Sequence, residues 1–253
     1  MPYTTLRRSA TAAPAKGFQH RQAAGWPAET ERFADRSGAG RALGAVLAAQ
    51  LGHSEADPPL VLGLPRGGAV IAREIARALD ADLDVVVACK IGVPWQPTFG
   101  VAAIADDGPI VFDHGAIAGA GTTTTAIAQA ARCHRLTIRR QQYRYRGERA
   151  APCLKDRTVV IADDGMAPGI AARAAVRAVR AGGPGRIIYA APVCAAESAD
   201  LLRAEADAVV HLYSPRVFHA LGLWYRDRSP VTDDDVAAIL AMAWDERTTA
   251  SVG

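Results

Sequence analysis

Residues 159–171 of this 253-residue chain read Val159-Val160-Ile161-Ala162-Asp163-Asp164-Gly165-Met166-Ala167-Pro168-Gly169-Ile170-Ala171. The run predicts a buried strand that ends in two adjacent carboxylates, Asp163 and Asp164, followed by a short loop and the start of a helix. Backbone N–H groups at a helix start can hold a phosphate. The carboxylates could accept hydrogen bonds from sugar hydroxyls or approach a hydrated Mg²⁺. For this run taken alone, a simple helix cap is the alternative, since Asp and Gly are common after strands.

The same order of apolar strand, polar end and helix recurs along the chain. Short apolar runs predict further strands over 60–64, 84–88, 186–191 and 208–212, with short ones near Val101 and Val111. Helical spacing predicts helices that end near 51 and 78 and helices over 122–145 and 170–181. Continuous apolar strands alternating with helices indicate an α/β protein, a Rossmann-like parallel sheet with helices on both faces. Ligands of such sheets bind beyond the carboxyl ends of the strands, where the polar and Gly-rich sequences fall.

Composition narrows the function classes. The chain has 29 Lys plus Arg against 26 Asp plus Glu, a net charge of +3, which is too close to balance to argue for a nucleic acid or an anionic membrane as partner. No apolar run approaches the ~20 residues that span a bilayer. The four cysteines form no CxxC pair, so reduced thiols in a cytoplasmic protein are expected. Residues 1–28 carry no acid, and we predict a disordered basic tail over 1–29 followed by one domain over 30–245.

Several motifs together resemble one family. Residues 159–171 resemble the motif that binds 5-phosphoribosyl 1-pyrophosphate (PRPP) in type I phosphoribosyltransferases, in which two acids and three variable residues precede Thr-Gly-x-Thr. Residues 64–68, Leu64-Pro65-Arg66-Gly67-Gly68, resemble the pyrophosphate loop of a bacterial branch of that family. Residues 84–92 resemble its next strand and loop, and 222–227 its C-terminal segment. The resemblance covers about 33–240 and implies the type I phosphoribosyltransferase fold, with a small hood from an insert and the C-terminal segment.

The resemblance also implies a chemistry and a set of site residues. Such enzymes transfer 5-phosphoribosyl from PRPP to a nucleobase or another small nitrogenous acceptor, releasing pyrophosphate, usually with Mg²⁺. The implied pyrophosphate group is Arg66, Lys90 and the amides of Gly67 and Gly68. The implied ribose and metal ligands are Asp163 and Asp164, which would hold the metal either directly or through water. The implied 5′-phosphate loop comprises Gly165, Met166, Ala167, Pro168, Gly169, Ile170 and Ala171. Trp224 or Tyr225 would either stack on a planar acceptor or pack in the core.

The sequence departs from the family pattern in the phosphate loop. Pro168 and Ala171 stand where the family has Thr, which removes two hydroxyl donors worth roughly 3–6 kcal/mol together. Pro168 also lacks an N–H. Three functions therefore stay open: a transferase, a non-catalytic nucleotide sensor or accessory protein with the same fold, and a ribonucleotide hydrolase or phosphorylase. The acceptor is not identified by the sequence, and a homodimer is an expectation drawn from related enzymes.

Overall fold

A computed structural model describes residues 27–52 and 58–250. The predicted basic tail falls outside the described residues as far as residue 26, and Glu29 already belongs to a 3₁₀ turn, Glu29–Glu31. The last helix ends at Ala250, beyond the predicted boundary at 245. Within the described ranges, no helix combines the length and the apolar character that crossing a bilayer requires.

Strands and helices alternate along most of the chain. The strands are β1 (Leu60–Gly63), β2 (Asp82–Val85), β3 (Ala88–Val93), β4 (Gln96–Ala105), β5 (Val111–Phe112), β6 (Thr158–Ala162), β7 (Arg186–Val193) and β8 (Ala208–Tyr213). The helices are α1 (Arg36–Leu51), α2 (Gly67–Leu79), α3 (His114–Gly119), α4 (Thr124–Arg146), α5 (Ile170–Ala181), α6 (Ala196–Leu202) and α7 (Asp233–Ala250). A second 3₁₀ turn spans Leu221–Trp224.

Five strands form one parallel sheet in the order β2-β1-β6-β7-β8. Side chains alternate between its faces, as the period of two requires. Val61, Val160 and Ile188 face a core shared with α1, α2 and α7, whereas Leu62 and Ile161 face a core shared with α5 and α6. The predicted parallel α/β sheet covered on both faces is therefore confirmed.

The register aligns the carboxyl ends of the central strands. Gly63 pairs with Ala162, which in turn pairs with Ala190. The Leu64 amide then donates to the carbonyl of Ala162 at 2.8 Å, and the Asp163 amide donates to the carbonyl of Ala190 at 3.0 Å. The loops after β1 and β6 thus leave the sheet side by side.

A second, antiparallel sheet of β3, β4 and β5 forms the insert. Its apolar side chains enter both cores, so it packs between α4 and α5. The strand predicted over 84–88 is wrong at both ends, because β2 stops at Val85 and Ala88 already belongs to β3. The amide of Val87 bonds the Asp106 carboxylate instead of a strand partner. Because Val85, Val86 and Val87 are all apolar and buried, the local sequence gives no sign that the strand ends at Val85.

Two of the predicted helices are present in the structure with nearly the predicted bounds. The helix predicted over 170–181 is α5, and the one predicted over 122–145 is α4. The Oγ1 atom of Thr123 accepts a hydrogen bond from the Ala126 amide at 3.2 Å, so the threonine run caps α4.

Candidate active site

Two loops meet at the carboxyl edge of the parallel sheet. A Cβ atom at Gly67 would overlap the Asp164 carboxylate, with the Cγ atom only 2.6 Å away. A Cβ atom at Gly68 would lie 2.6 Å from the carbonyl oxygen of Ala162 and 3.0 Å from the Cα atom of Asp163. Glycine is needed at both positions because the backbone of one loop touches the other. The geometry therefore brings the Arg66 loop and the carboxylate pair together.

Asp164 is held by two arginines that sequence analysis did not single out. Its Oδ2 atom accepts hydrogen bonds from Arg36 Nε at 2.8 Å and from an Arg228 terminal nitrogen at 3.2 Å. Arg36 and Asp164 are 9% and 7% exposed, so this is a buried ion pair. Arg36 also donates to the Ser229 carbonyl, and the Tyr225 hydroxyl donates to the Asp164 carbonyl at 2.6 Å. These contacts fix the carboxylate between the first helix and the C-terminal segment.

Asp163 has different partners from Asp164. Its Oδ2 atom accepts a hydrogen bond from the Tyr189 hydroxyl at 3.0 Å, and its Oδ1 atom accepts one from the Asp164 amide at 2.8 Å. Burial, followed by the neighbouring Asp164 charge, raises the pKa of Asp163 to about 7, against the partial opposition of Tyr189 and Lys90. The two acids thus differ in their surroundings: Asp164 lies beside two arginines, whereas Asp163 takes up a proton near neutral pH.

The raised pKa of Asp163 predicts a pH dependence of stability. The folded protein binds a proton there that the unfolded chain, with an ordinary pKa of 3.8, releases. The stabilising contribution is therefore complete below about pH 4 and is lost as pH rises toward about 7. Urea unfolding should show that the stability of wild type relative to Asp163→Asn falls over that range. The subtraction cancels other titrating groups. A difference that stays constant or rises with pH would contradict the assignment.

Arg66 and Lys90 are two exposed cations of the site. Both side chains are solvent-exposed, and neither forms an ion pair with any residue in 27–52 or 58–250. Lys90 lies on β3, close enough to Asp163 to lower its pKa, rather than in the loop that the sequence predicted. Arg66 stands directly before α2 and lies within electrostatic range of Tyr145. Arg66 and Lys90 have no carboxylate partner among the described residues, whereas Asp163 and Asp164 already have hydrogen-bond partners within the protein. Cations in this situation favour the binding of an anion.

The loop after Asp164 turns its carbonyls away from solvent. The Met166 carbonyl accepts from the Ala195 amide at 2.8 Å, and the Ala167 carbonyl accepts from the Ser198 hydroxyl at 2.5 Å. In a trans peptide the N–H points opposite to the C=O, so the next amides point away from α6. Ala167 offers an N–H there, but Pro168 has none to offer. The predicted phosphate loop therefore keeps the Ala167 amide as a candidate donor and lacks one at Pro168.

The start of α5 supplies further donors. Gly169 precedes the helix with a left-handed φ of 71°, and no side chain caps the first turn. The first amides of a helix have no intrahelical acceptor, so those of Ile170 and Ala171 remain open to a ligand. Gly165 is closed on one side by Leu221 and Val193, which leave no room for a Cβ atom.

Two predicted amide donors are wrong. The Gly68 amide donates to the Leu64 carbonyl at 3.0 Å, and the Met166 amide donates to the Val193 carbonyl at 2.9 Å. Met166 itself is buried in the core beneath the loop. A backbone N–H that is already paired inside the protein is not free for phosphate. The Gly67 amide has no such partner among the described residues and remains a candidate.

The predicted stacking of Trp224 or Tyr225 on an acceptor is also wrong. Each residue is only 1% exposed. The Trp224 ring packs 5.3 Å from that of Tyr213, and Tyr225 packs 5.6 Å from Phe33. Neither ring offers a free face, so both residues are part of the core, which was the alternative interpretation. Tyr225 nevertheless touches the site through its hydroxyl group.

The carboxylates do not fit a directly bound divalent cation. Asp164 already carries two guanidinium partners, and no group of three or more His, Cys, Asp or Glu side chains within the described ranges could hold a metal ion. A magnesium ion prefers several oxygen ligands and keeps most of its waters. The predicted role of Asp163 and Asp164 as metal ligands is therefore limited to contact through water.

Arg36, Arg228 and Tyr189 were missed because no local pattern marks them. Arg36 opens α1 directly after Asp35, the residue that caps it, and reads as an ordinary first-turn residue. Arg228 lies in an irregular segment, and Tyr189 lies within an apolar strand run. The available signal was the buried Asp164, because a buried charge needs a partner.

A cavity of about 880 Å³ lies at the opposite edge of the sheet, between α2, α7 and the start of β2. Its charges are paired with one another, as in the contacts of Arg77 with Glu246 and of Arg247 with Asp82. This cavity is therefore not where the unpaired cations Arg66 and Lys90 lie. We place the candidate active site at the carboxyl edge, where the motifs converge.

The fold and site define an α/β protein with a candidate anion-binding site at the carboxyl edge of its parallel sheet. The site combines the acids Asp163 and Asp164, the exposed cations Arg66 and Lys90, and a loop with open backbone amides. A family model, the phosphoribosyl transferase domain, matches residues 36–219, and the chain belongs to that family. Two Mycobacterium tuberculosis proteins, from strains CDC 1551 / Oshkosh and ATCC 25618 / H37Rv and named only as candidate phosphoribosyl transferases, are 37% identical over 211 residues. The match covers 83% of this chain and 47% of theirs, so the chain spans about half the length of those relatives.

A solved structure provides a match over the full length of its own chain. The crystal structure of TT1426 from Thermus thermophilus is 40% identical to this chain, with a TM-score of 0.69. The match covers 83% of this chain and 98% of that one. The fold predicted from the sequence motifs is thus shared with a structurally defined relative.

Proposed function

We propose that the protein transfers the 5-phosphoribosyl group of PRPP to a nitrogenous acceptor and releases pyrophosphate. The observation that carries the proposal is the contact between Gly67 and Asp164, which joins the Arg66 loop to the carboxylate pair. One ligand that has a phosphorylated sugar and a pyrophosphate can then reach both loops. Membership of the phosphoribosyl transferase family supports this chemistry in general.

The transfer breaks the bond between ribose C1 and the pyrophosphate oxygen, and the electron pair leaves with the oxygen. The acceptor nitrogen supplies a lone pair for the new C1–N bond and releases its proton to solvent. Positive charge on the ribose and negative charge on the leaving group both grow along this path. In the proposal, Arg66 and Lys90 stabilise the leaving group and the Asp164 side chain stabilises the ribose cation. Asp163 would accept a ribose hydroxyl bond in place of the Tyr189 hydroxyl.

Magnesium enters the proposal as part of the substrate. Chelation of Mg²⁺ by pyrophosphate oxygens supplies charge neutralisation to the leaving group. In the proposal, the protein contributes the cations Arg66 and Lys90 to the same leaving group. Asp163 and Asp164 would meet the hydrated ion through its waters, because both oxygens of Asp163 and the Oδ2 atom of Asp164 already accept hydrogen bonds.

Restoring the two family hydroxyls should strengthen PRPP binding. Pro168→Thr with Ala171→Thr adds two hydroxyl donors and one amide beside the open amides of residues 170 and 171. A hydrogen bond to a charged group contributes about 1.5–3 kcal/mol. We therefore expect PRPP to bind at least tenfold more tightly by isothermal titration calorimetry. An unchanged dissociation constant would mean that these positions do not face the 5′-phosphate.

The activity is tested by pyrophosphate release. Full-length protein is incubated with PRPP, Mg²⁺ and a panel of purine, pyrimidine and other heterocyclic acceptors, and pyrophosphate is measured by a coupled assay. Release that depends on one acceptor and is lost in Lys90→Met supports transfer. Release that is independent of every acceptor indicates hydrolysis of PRPP and contradicts the proposal.

A second candidate is a non-catalytic protein that binds PRPP or a nucleotide. Pro168 and Ala171 favour it, because together they remove one amide and two hydroxyl donors from the phosphate loop. This function predicts binding of a ribose phosphate ligand with no pyrophosphate release across the acceptor panel. Acceptor-dependent turnover would eliminate it.

A further inference from the structure

Arg36 and Arg228 share one carboxylate oxygen but are held very differently. Arg36 is almost fully buried, bonds Asp164 at 2.8 Å and donates a second hydrogen bond to the Ser229 carbonyl. The Arg228 side chain is 40% exposed, and its guanidinium reaches Asp164 by one longer bond of 3.2 Å. Among the described residues, this hydrogen bond to Asp164 is the contact that holds the terminal nitrogen of Arg228. Asp164 would therefore keep its buried counterion if Arg228 turned away.

The position of Arg228 is suited to a second partner. Its bond to Asp164 Oδ2 places the guanidinium beside the loop that carries Arg66, because Gly67 contacts the same carboxylate. The segment around it, residues 226–232, has no helix or strand to fix the side chain. Long arginine side chains in such segments reorient on a fast timescale.

The charge balance favours an incoming anion. Arg36, Arg228, Arg66 and Lys90 supply four positive charges around Asp163 and Asp164 in this part of the described chain. PRPP with Mg²⁺ brings a net negative charge, and bidentate guanidinium groups are well suited to phosphate oxygens. A ribose hydroxyl that bonds to Asp164 Oδ2, the oxygen that both arginines share, would take the place of the weaker of the two.

We propose that Arg228 is a further ligand-binding residue, which exchanges the Asp164 carboxylate for the pyrophosphate group of PRPP when ribose binds Asp164. Arg36 stays with Asp164 and acts as a positioning residue. The inference rests on the proposed function, since it concerns the same ligand. It assigns to the C-terminal segment a direct contact with substrate, in place of the aromatic stacking that the burial of Trp224 excludes.

The test is isothermal titration of full-length protein with three probes: PRPP with Mg²⁺, pyrophosphate with Mg²⁺, and ribose 5-phosphate. Arg228→Met should weaken binding of both pyrophosphate-containing probes at least tenfold and leave ribose 5-phosphate within about twofold. Arg228→Lys should recover part of the loss because it keeps the charge. Arg226→Met is the matched control: Arg226 lies two residues away, pairs with Glu29 and should change none of the three.

The outcomes separate the inference from the function on which it rests. If Arg228→Met binds PRPP as wild type does or more tightly, Arg228 is not a ligand and the inference is wrong while the function stands. Equal weakening of all three probes, together with a lowered melting temperature, would show a structural role and also overturn it. If wild type binds neither PRPP nor pyrophosphate, the proposed function fails and the inference fails with it.

Discussion

Asp164→Ala is expected to lower the free energy of unfolding by about 3–5 kcal/mol. The change removes the carboxylate from a buried ion pair and leaves the Arg36 guanidinium, which is 9% exposed, without its counterion. Removing one partner of a buried pair is costly because the remaining charge stays desolvated. Urea unfolding followed by circular dichroism measures the loss.

Two further variants make this stability prediction specific. Asp164→Leu combined with Arg36→Met removes both charges, so it should recover most of the loss. Asp200→Ala breaks an exposed pair with Arg203 and should change stability by only about 0–1 kcal/mol. A loss below about 1 kcal/mol for Asp164→Ala would mean that water reaches Arg36 and that the pair is not buried in solution.

Gly67→Ala is expected to abolish measurable PRPP binding, a loss of at least a hundredfold. The new methyl group would occupy the position of the Asp164 carboxylate and would lie 2.8 Å from Arg36 Nε. Asp164 would have to move, and its ion pair and its place beside the Arg66 loop would be lost together. Overpacking of this kind also destabilises by about 1–3 kcal/mol. Calorimetric titration and thermal unfolding of the same sample measure the two effects.

The matched control is Gly119→Ala. Gly119 lies in α3, and a Cβ atom there would meet nothing within 4 Å. Alanine is a better helix former than glycine, so stability should stay equal or rise slightly. PRPP binding should not change. A Gly67→Ala protein that binds PRPP normally would show that the two loops do not form one site.

Most of the fold could be predicted because the strands of a parallel sheet are continuous apolar runs. Thr158–Ala162 and Arg186–Val193 follow that rule, and the polar residues after them mark the strand ends. The boundary between β2 and β3 could not be predicted from the local sequence. Val86 and Val87 are as apolar and as buried as a strand interior, and the turn between the sheets depends on Asp106, which is distant in sequence.

The site was predicted in outline but not in its contacts. Motif order correctly brought the Arg66 loop to the Asp163–Asp164 pair, because both follow neighbouring parallel strands. Motifs do not reveal which amides are already paired, so Gly68 and Met166 were assigned to a ligand in error. The partners of Asp164 come from the two ends of the described chain, Arg36 and Arg228, and no spacing rule connects such distant residues.

The proposed transfer requires that one PRPP molecule contact both the Arg66 loop and the Asp163–Asp164 pair. Titration of full-length wild-type protein with PRPP in the presence of Mg²⁺ measures this most directly, with inorganic phosphate as the matched anion. We expect PRPP to bind with a dissociation constant on the order of micromolar and phosphate to bind far more weakly. Absence of binding at millimolar PRPP would contradict the account, even though the fold would be unchanged.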